Sequence, residues 1–209
     1  MKVRDLGLVA YVPTWRAMQA FTRARSAETP DETWLAEHPA VFTLGLAGRR
    51  EHVLDAGDIP VVATDRGGQV TYHGPGQAIA YLLLDLRRSG IGVKELVRRI
   101  EEAVIETLRE YGITAERRKA MPGVYVGGAK IAAIGLRIAR GCSYHGVALN
   151  VSPDLAPFAR IDPCGYPGLA ATRLADLGVR DSIHAVQQKL AAALSRHLAA
   201  APAAHLADA

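Results

Sequence analysis

Cysteine is scarce in this 209-residue chain: there are two, Cys142 and Cys164, and neither belongs to a C-x-x-C pair. Closely paired thiols are what a zinc knuckle needs, so that class is disfavoured. Aromatic residues make up only 6%, and the arginines are scattered, which argues against a nucleic-acid surface built on base stacking and a basic stripe. No run approaches the roughly 18 to 20 consecutive apolar residues of a membrane span, and the start, Met1 to Asp5, leads into a short alternating segment unlike a signal-peptide core. A cytoplasmic setting with reduced thiols and no membrane contact is therefore expected. The phosphate-loop pattern G-x-x-x-x-G-K is also missing.

What is present is enough apolar residue, 49%, to bury a substantial core, and a net charge of +4 that suits an acidic partner. Leu8 to Val12 reads as a strand ended by Pro13, with Thr14 capping a helix from Trp15 to about Arg25. Val41 to Leu44 and Ile59 to Ala63 read as short strands. Ala78 to Leu84 is apolar on both faces and belongs in the middle of a covered sheet. Val93, Leu96, Val97, Ile100, Val104 and Leu108 follow helical spacing to Tyr111, with Gly112 as the stop. Gly123 to Val126 and Lys130 to Leu136 are strands joined by a two-residue turn, Gly127-Gly128, and Tyr144 to Val151 continues the meander. Ser182 caps a last helix carrying Ile183, Val186, Leu190, Leu194 and Leu198 on one face. The order predicts a single α+β domain over residues 1–198, a mixed, largely antiparallel sheet covered by helices, followed by an alanine-rich frayed tail at 199–209.

Three features carry chemistry. Cys164 sits in Asp162-Pro163-Cys164-Gly165-Tyr166-Pro167-Gly168, where the prolines and glycines exclude a helix or a central strand. A thiol on such a loop is a candidate nucleophile, although a lone cysteine is more often core filler. The loop Arg66-Gly67-Gly68-Gln69-Val70-Thr71-Tyr72-His73-Gly74-Pro75-Gly76-Gln77 is not a phosphate loop, and its glycines let a ligand approach backbone N–H groups, with Arg66, Thr71, Tyr72 and His73 as polar side chains. Lys130 stands on a strand otherwise apolar on both faces. It either snorkels to water or, in a dry pocket, serves as a proton acceptor suited to a cysteine. Cys142, His145, Cys164 and His73 are chemically able to bind zinc but lie on distant segments, so no metal and no cofactor is expected.

Together the glycine and histidine loop, Gly127-Gly128-Ala129-Lys130-Ile131-Ala132-Ala133-Ile134-Gly135, Tyr144-His145-Gly146-Val147-Ala148-Leu149-Asn150 and Asp162-Pro163-Cys164-Gly165 resemble, in order, the lipoyl (octanoyl) transferases. The resemblance implies a fold similar to the biotin and lipoate protein ligase catalytic domains. It implies octanoyl transfer from octanoyl-acyl carrier protein to a lysine of lipoyl domains, in 2-oxoacid dehydrogenase complexes and the glycine cleavage H protein. It also implies that Cys164 becomes the acyl thioester and that Lys130 is its partner. An apolar slot formed by Ala133, Ile134, Gly135, Gly146, Val147 and Ala148 is expected to hold the acyl chain, with Arg87, Arg88, Arg98 and Arg99 as candidates for the carrier-facing surface. Two rivals stay open: an ATP-using lipoate ligase on the same fold, and a non-catalytic acyl- or metal-binding module.

Overall fold

In the computed structural model, which describes residues 1–162 and 169–199, the chain opens with strand β1 (Lys2–Leu8) and helix α1 (Tyr11–Ala24). The expected strand at Leu8 to Val12 is not there: β1 lies upstream and shares only Leu8 with it, because Tyr11 and Val12 already belong to the helix, which starts before Trp15. Pro13 falls in the first helical turn, where an N–H has no intrahelical partner to lose, so it does not stop the helix. Thr14 is not the cap; it lies inside the helix and its Oγ1 donates to the Ala10 carbonyl at 2.8 Å.

Strand β2 (Glu32–Glu37), which the sequence pattern did not mark, follows, then β3 (Val41–Leu44), β4 (Val61–Ala63), β5 (Val70–His73) and β6 (Gln77–Leu83). Ile59 and Pro60 stay outside β4, the Pro60 carbonyl accepting the Phe42 N–H at 2.9 Å. The Arg66 to Gln77 segment, expected to be irregular, thus contains a strand. A short helix α2 (Leu86–Ser89) leads to α3 (Val93–Arg109), and β7 (Glu116–Arg118), β8 (Met121–Val126), β9 (Ala129–Ala139) and β10 (Cys142–Asn150) form a meander before α4 (Ile183–Ala199). Residues 200–209, most of the expected tail, lie outside the described residues.

The main sheet has seven strands in the order β1-β2-β6-β10-β9-β8-β7, with only β1 and β2 parallel. All seven residues of β6 are buried, as a strand apolar on both faces requires. On one face, Ala78, Ala80 and Leu82 meet α3 through Leu96, Ile100, Val104 and Leu108 and α4 through Val186, Leu190 and Leu194. Each fully buried leucine or isoleucine there contributes about 2 kcal/mol. On the other face, Met18 of α1 packs with Trp34, Ile79, Tyr81 and Tyr144. Gly112, at φ +72°, ends α3 as the spacing predicted, the Ile113 N–H donating back to the Leu108 carbonyl. Gly127 and Gly128, at φ +54° and +89°, make the β8–β9 turn with both central residues left-handed. Ser182 Oγ accepts the Ala185 N–H and so caps α4.

A second, three-stranded sheet, β4-β3-β5, packs its own small core of Phe42, Val70, Tyr72 and Ile161 beside the first. Its last strand runs into β6 through His73 to Gln77. The glycine loop is thereby suspended between two sheets, over β9 and β10.

Candidate active site

The loop before β5 is held from within by Arg66, which is 7% exposed. Its Nη2 donates to the Thr43 carbonyl at 2.6 Å and the Gln69 carbonyl at 2.7 Å, Nε donates to Thr43 Oγ1 at 3.0 Å and Nη1 to the Gly67 carbonyl at 3.0 Å. A guanidinium spent on carbonyls of its own loop fixes that loop's shape. Gly67 then lies across β9, donating to the Leu136 carbonyl at 2.8 Å, and a Cβ on Gly135 would stand 3.1 Å from the Gly67 carbonyl oxygen. A side chain at either glycine would crowd the crossing of the two backbones.

Beneath the loop is a cavity of about 290 Å³. Its floor crosses three strands in register: Gly146 lies opposite Tyr81 and Gly135, Ala148 opposite Ile79 and Ala133, and Asn150 opposite Gln77. Small residues in the middle rows leave the space. Ala133, Ile134, Gly135, Gly146, Val147 and Ala148 all line it, as do Arg66, Gly67, Gly68, Gln69, Val70, Thr71 and His73. Tyr72 does not. Its ring belongs to the small core of the second sheet, 5.6 Å from Phe42 and 5.4 Å from Phe158 between centroids. Alternation along β5 sends Tyr72 away from its neighbours Thr71 and His73.

Lys130 is also in the cavity wall, half-buried. Its Nζ donates to the Pro122 carbonyl at 3.3 Å and stands 5.3 Å from the Tyr125 ring centroid. Its main chain pairs with the segment that follows Cys164, the Lys130 N–H donating to the Ala170 carbonyl at 2.8 Å and the Thr172 N–H donating to the Lys130 carbonyl at 3.0 Å. Leu169, Ala170 and Ala171 line the cavity next to it. Cys164 itself lies outside the described residues. Cys142, at the start of β10, is 3% exposed and does not line the cavity.

Tyr11 and Tyr81 line the cavity without having carried a signal in the sequence, and they gather around His73, which did. His73 is buried, and its Nδ1 faces Gln77 Oε1 at 3.2 Å; Gln77 Nε2 donates to Asn150 Oδ1 at 2.9 Å, and Asn150 Nδ2 donates to the Thr172 carbonyl at 3.0 Å. With the amide donors committed in that direction, Gln77 Oε1 accepts, so His73 carries its proton on Nδ1 and its Nε2 keeps a lone pair. Burial, followed by the charges of His38 and Arg66, holds the His73 pKa well below the ordinary value, so the ring is neutral. Tyr11 stacks on it with centroids 5.8 Å apart, and Tyr81 closes the cluster with its hydroxyl against His38 Nε2.

Asp65 anchors the opposite side. It accepts Trp15 Nε1 at 2.7 Å and Gln19 Nε2 at 2.9 Å from α1, and the Tyr144 hydroxyl and His145 Nε2, the latter at 2.9 Å, from β10. His145 holds a left-handed φ of +60°, a region histidine enters more readily than most side chains, with its Nε2 on Asp65. Burial alone would raise the Asp65 pKa, but the four donors outweigh it and hold the carboxyl well below its usual range. His145, a candidate zinc ligand in sequence, spends its Nε2 on that carboxylate. Of the four arginines considered for a docking surface, Arg99 is 3% exposed, with Nε on Glu95 at 2.7 Å and Nη1 on the His197 carbonyl, and Arg88 is tied to Asp31 at 2.6 Å. Arg99 packs between α3 and α4 because its stem is apolar and both ends of its charge find partners.

This architecture is that of ligase catalytic domains. A lipoate-protein ligase A bound with ATP has the same fold at a TM-score of 0.76 and 19% identity, with 95% of this chain and 86% of that one covered, and the biotin protein ligase of Aquifex aeolicus in complex with biotin and ATP follows at 0.59 and 15%, covering 94% and 70%. The chain belongs to the lipoyl protein ligase A/B catalytic domain family, whose model matches residues 10–195. Within that family it stands with the octanoyltransferases, the one from Thiobacillus denitrificans being 61% identical over 194 residues, 93% of this chain and 89% of its own length.

Proposed function

We propose that this protein transfers an octanoyl group from octanoyl-acyl carrier protein to a specific lysine of lipoyl domains through a thioester on Cys164, the first step of endogenous protein lipoylation. Its place among the octanoyltransferases makes it an acyltransferase of lipoylation. The observation that carries the mechanism is the placement of Lys130: a primary amine in the wall of a cavity lined mainly by small and apolar residues, on the strand to which the chain returns after Cys164. An octanoyl tail buried there at about 0.8 kcal/mol per methylene gains roughly 5 kcal/mol.

One proton suffices for the cycle. The resting pair is a Cys164 thiolate beside a Lys130 ammonium, each stabilising the other. The thiolate attacks the carrier thioester, a new C–S bond forms, the bond to the carrier sulfur breaks, and Lys130 gives its proton to the departing thiolate. Now neutral, Lys130 accepts a proton from the incoming acceptor amine as that nitrogen attacks the acyl carbonyl. The amide forms, Cys164 leaves as thiolate, and the pair is restored. The first half exchanges one thioester for another, while amide formation drives the second, so the reaction uses no ATP, metal or cofactor. The acceptors are the lipoyl domains of 2-oxoacid dehydrogenase complexes and the glycine cleavage H protein, and the setting is the cytoplasm. No helix among the described residues is long and apolar enough to cross a membrane.

Incubation with octanoyl-acyl carrier protein, without ATP, followed by intact mass measurement tests the reading. An octanoyl adduct that disappears in Cys164→Ala and persists in Cys142→Ala supports it; a wild-type protein that forms none rejects it.

A further inference from the structure

One peptide group connects Lys130 to a buried carboxylate on the far side of it. The carbonyl of the Pro122–Gly123 peptide accepts from Lys130 Nζ at 3.3 Å, and the N–H of the same peptide donates to Glu101 Oε1 of α3 at 3.1 Å. Gly123 is in the left-handed half of backbone space at φ +134°, and a Cβ there would stand 3.2 Å from Lys130 Cε and 2.6 Å from the Ala132 carbonyl oxygen, so the lysine stem lies directly on this peptide. Glu101 is 7% exposed. Satisfying one N–H needs an acceptor but no charge; glutamine has the same shape and the same carbonyl oxygen. A carboxylate kept out of water has to be offset, and the Gly123 N–H, Arg117 and, across one polarised peptide, the Lys130 amine all act in that sense.

We propose that Glu101 is a positioning residue for Lys130: it clamps the Pro122–Gly123 peptide with its carbonyl toward the lysine and sets a negative charge behind it that favours the ammonium form. The inference rests on the transferase reading above. The other charged groups facing Glu101 are Glu102 on its own helix and Arg117 of β7, which pairs with Glu102 at 3.2 Å, and Lys130 of β9. Burial raises the Glu101 pKa and the Gly123 N–H, Arg117 and Lys130 oppose that rise, as mutual stabilisation with the lysine requires.

Acylation of the full chain by octanoyl-acyl carrier protein, followed by intact mass from about pH 6 to about pH 10, separates positioning from mere structure. Glu101→Gln is expected to acylate about five- to tenfold more slowly and to lose its rate on the alkaline side about half a pH unit to one unit lower, because the ammonium has lost its countercharge. Glu101→Asp keeps the charge but cannot reach the Gly123 N–H, so its rate falls about threefold while the alkaline limb stays in place. In a Lys130→Met background, Glu101→Gln changes the residual rate by less than about twofold, since the two act as a unit. An unchanged rate and limb in Glu101→Gln, an unchanged rate in Glu101→Asp, or an equal loss with and without Lys130 overturns the proposal. Absence of any adduct on the wild-type chain defeats the transferase reading instead, so the two failures are distinct.

Discussion

Lys130 and Ala170 are bonded main chain to main chain, amide to carbonyl at 2.8 Å, and Thr172 returns the bond to the Lys130 carbonyl at 3.0 Å. A short parallel pairing therefore ties the segment after Cys164 to the strand that bears the lysine. Backbone bonds hold a register more tightly than two flexible side chains hold each other, which is what a nucleophile and its proton partner need.

If that pairing serves a chemical role for the amine, Lys130→Met will fold and fail. Methionine keeps the apolar stem on Gly123, so the melting temperature moves little, within the few tenths of a kcal/mol usual at partly exposed sites. Single-turnover acylation and transfer should both slow by about 10²- to 10⁴-fold, the usual worth of a positioned acid or base. Lys130→Arg should not rescue transfer, because a guanidinium does not surrender its proton. Rates within twofold of wild type for Lys130→Met would remove the residue from the mechanism.

The chain His73, Gln77, Asn150, Thr172 predicts a second outcome. Asn150→Ala strands a buried Gln77 donor and the Thr172 carbonyl, and a buried group left without its partner costs about 1 to 3 kcal/mol. Urea denaturation should show that loss. The Thr172 bond also braces the segment after Cys164, so the apparent KM for the carrier should rise as well. A stability change below about 0.5 kcal/mol would mean that water replaces the amide.

Much of this was legible in the sequence, for physical reasons that also mark where legibility ends. The helix at Val93 and the strand after Gln77 declare themselves because their burial patterns are regular and local. Strand β2 hides because its ends, Glu32 and Glu37, are polar, yet Glu32 is buried accepting Trp34 Nε1 at 2.6 Å and Glu37 accepts the Gly76 N–H at 3.0 Å. The residues of the cavity floor were expected as an apolar slot once the family resemblance was drawn, and in the structure the glycines and alanines among them leave the room. Asp65 was not, since it meets Trp15 at 50 residues' separation and Tyr144 at 79. Tyr72 read as a pocket residue because the glycine loop concealed the alternation of β5.

Asp65 makes the acid limit of the fold predictable. Its folded-state pKa is depressed, so its contribution to stability is complete above the unfolded value near 3.9 and is lost as pH falls through the folded value. Wild-type stability should therefore begin to decline at roughly pH 5 and continue downward. Asp65→Asn removes a charged acceptor from four donors and should cost about 2 kcal/mol or more at neutral pH. Its own stability curve should be flatter on the acid side. Parallel curves for the two proteins would show that other carboxylates set the acid limit.

The last test concerns the length of the acyl chain. Ala148 sits in the middle row of the cavity floor, opposite Ile79 and Ala133, and is 4% exposed. Ala148→Leu adds three carbons to a space of about 290 Å³ without adding a polar group, so the chain that fits becomes shorter by about the same amount. Each methylene that no longer finds a dry contact forfeits about 0.8 kcal/mol, close to a fourfold change in kcat/KM. Wild type should favour octanoyl over hexanoyl donors by roughly tenfold or more, two methylenes' worth. In Ala148→Leu that preference should vanish or reverse, through loss of the octanoyl rate with the hexanoyl rate retained. A uniform loss on both donors would indicate damage to the sheet, and an unchanged ratio would place the acyl tail somewhere other than the Gly146 to Ala148 floor.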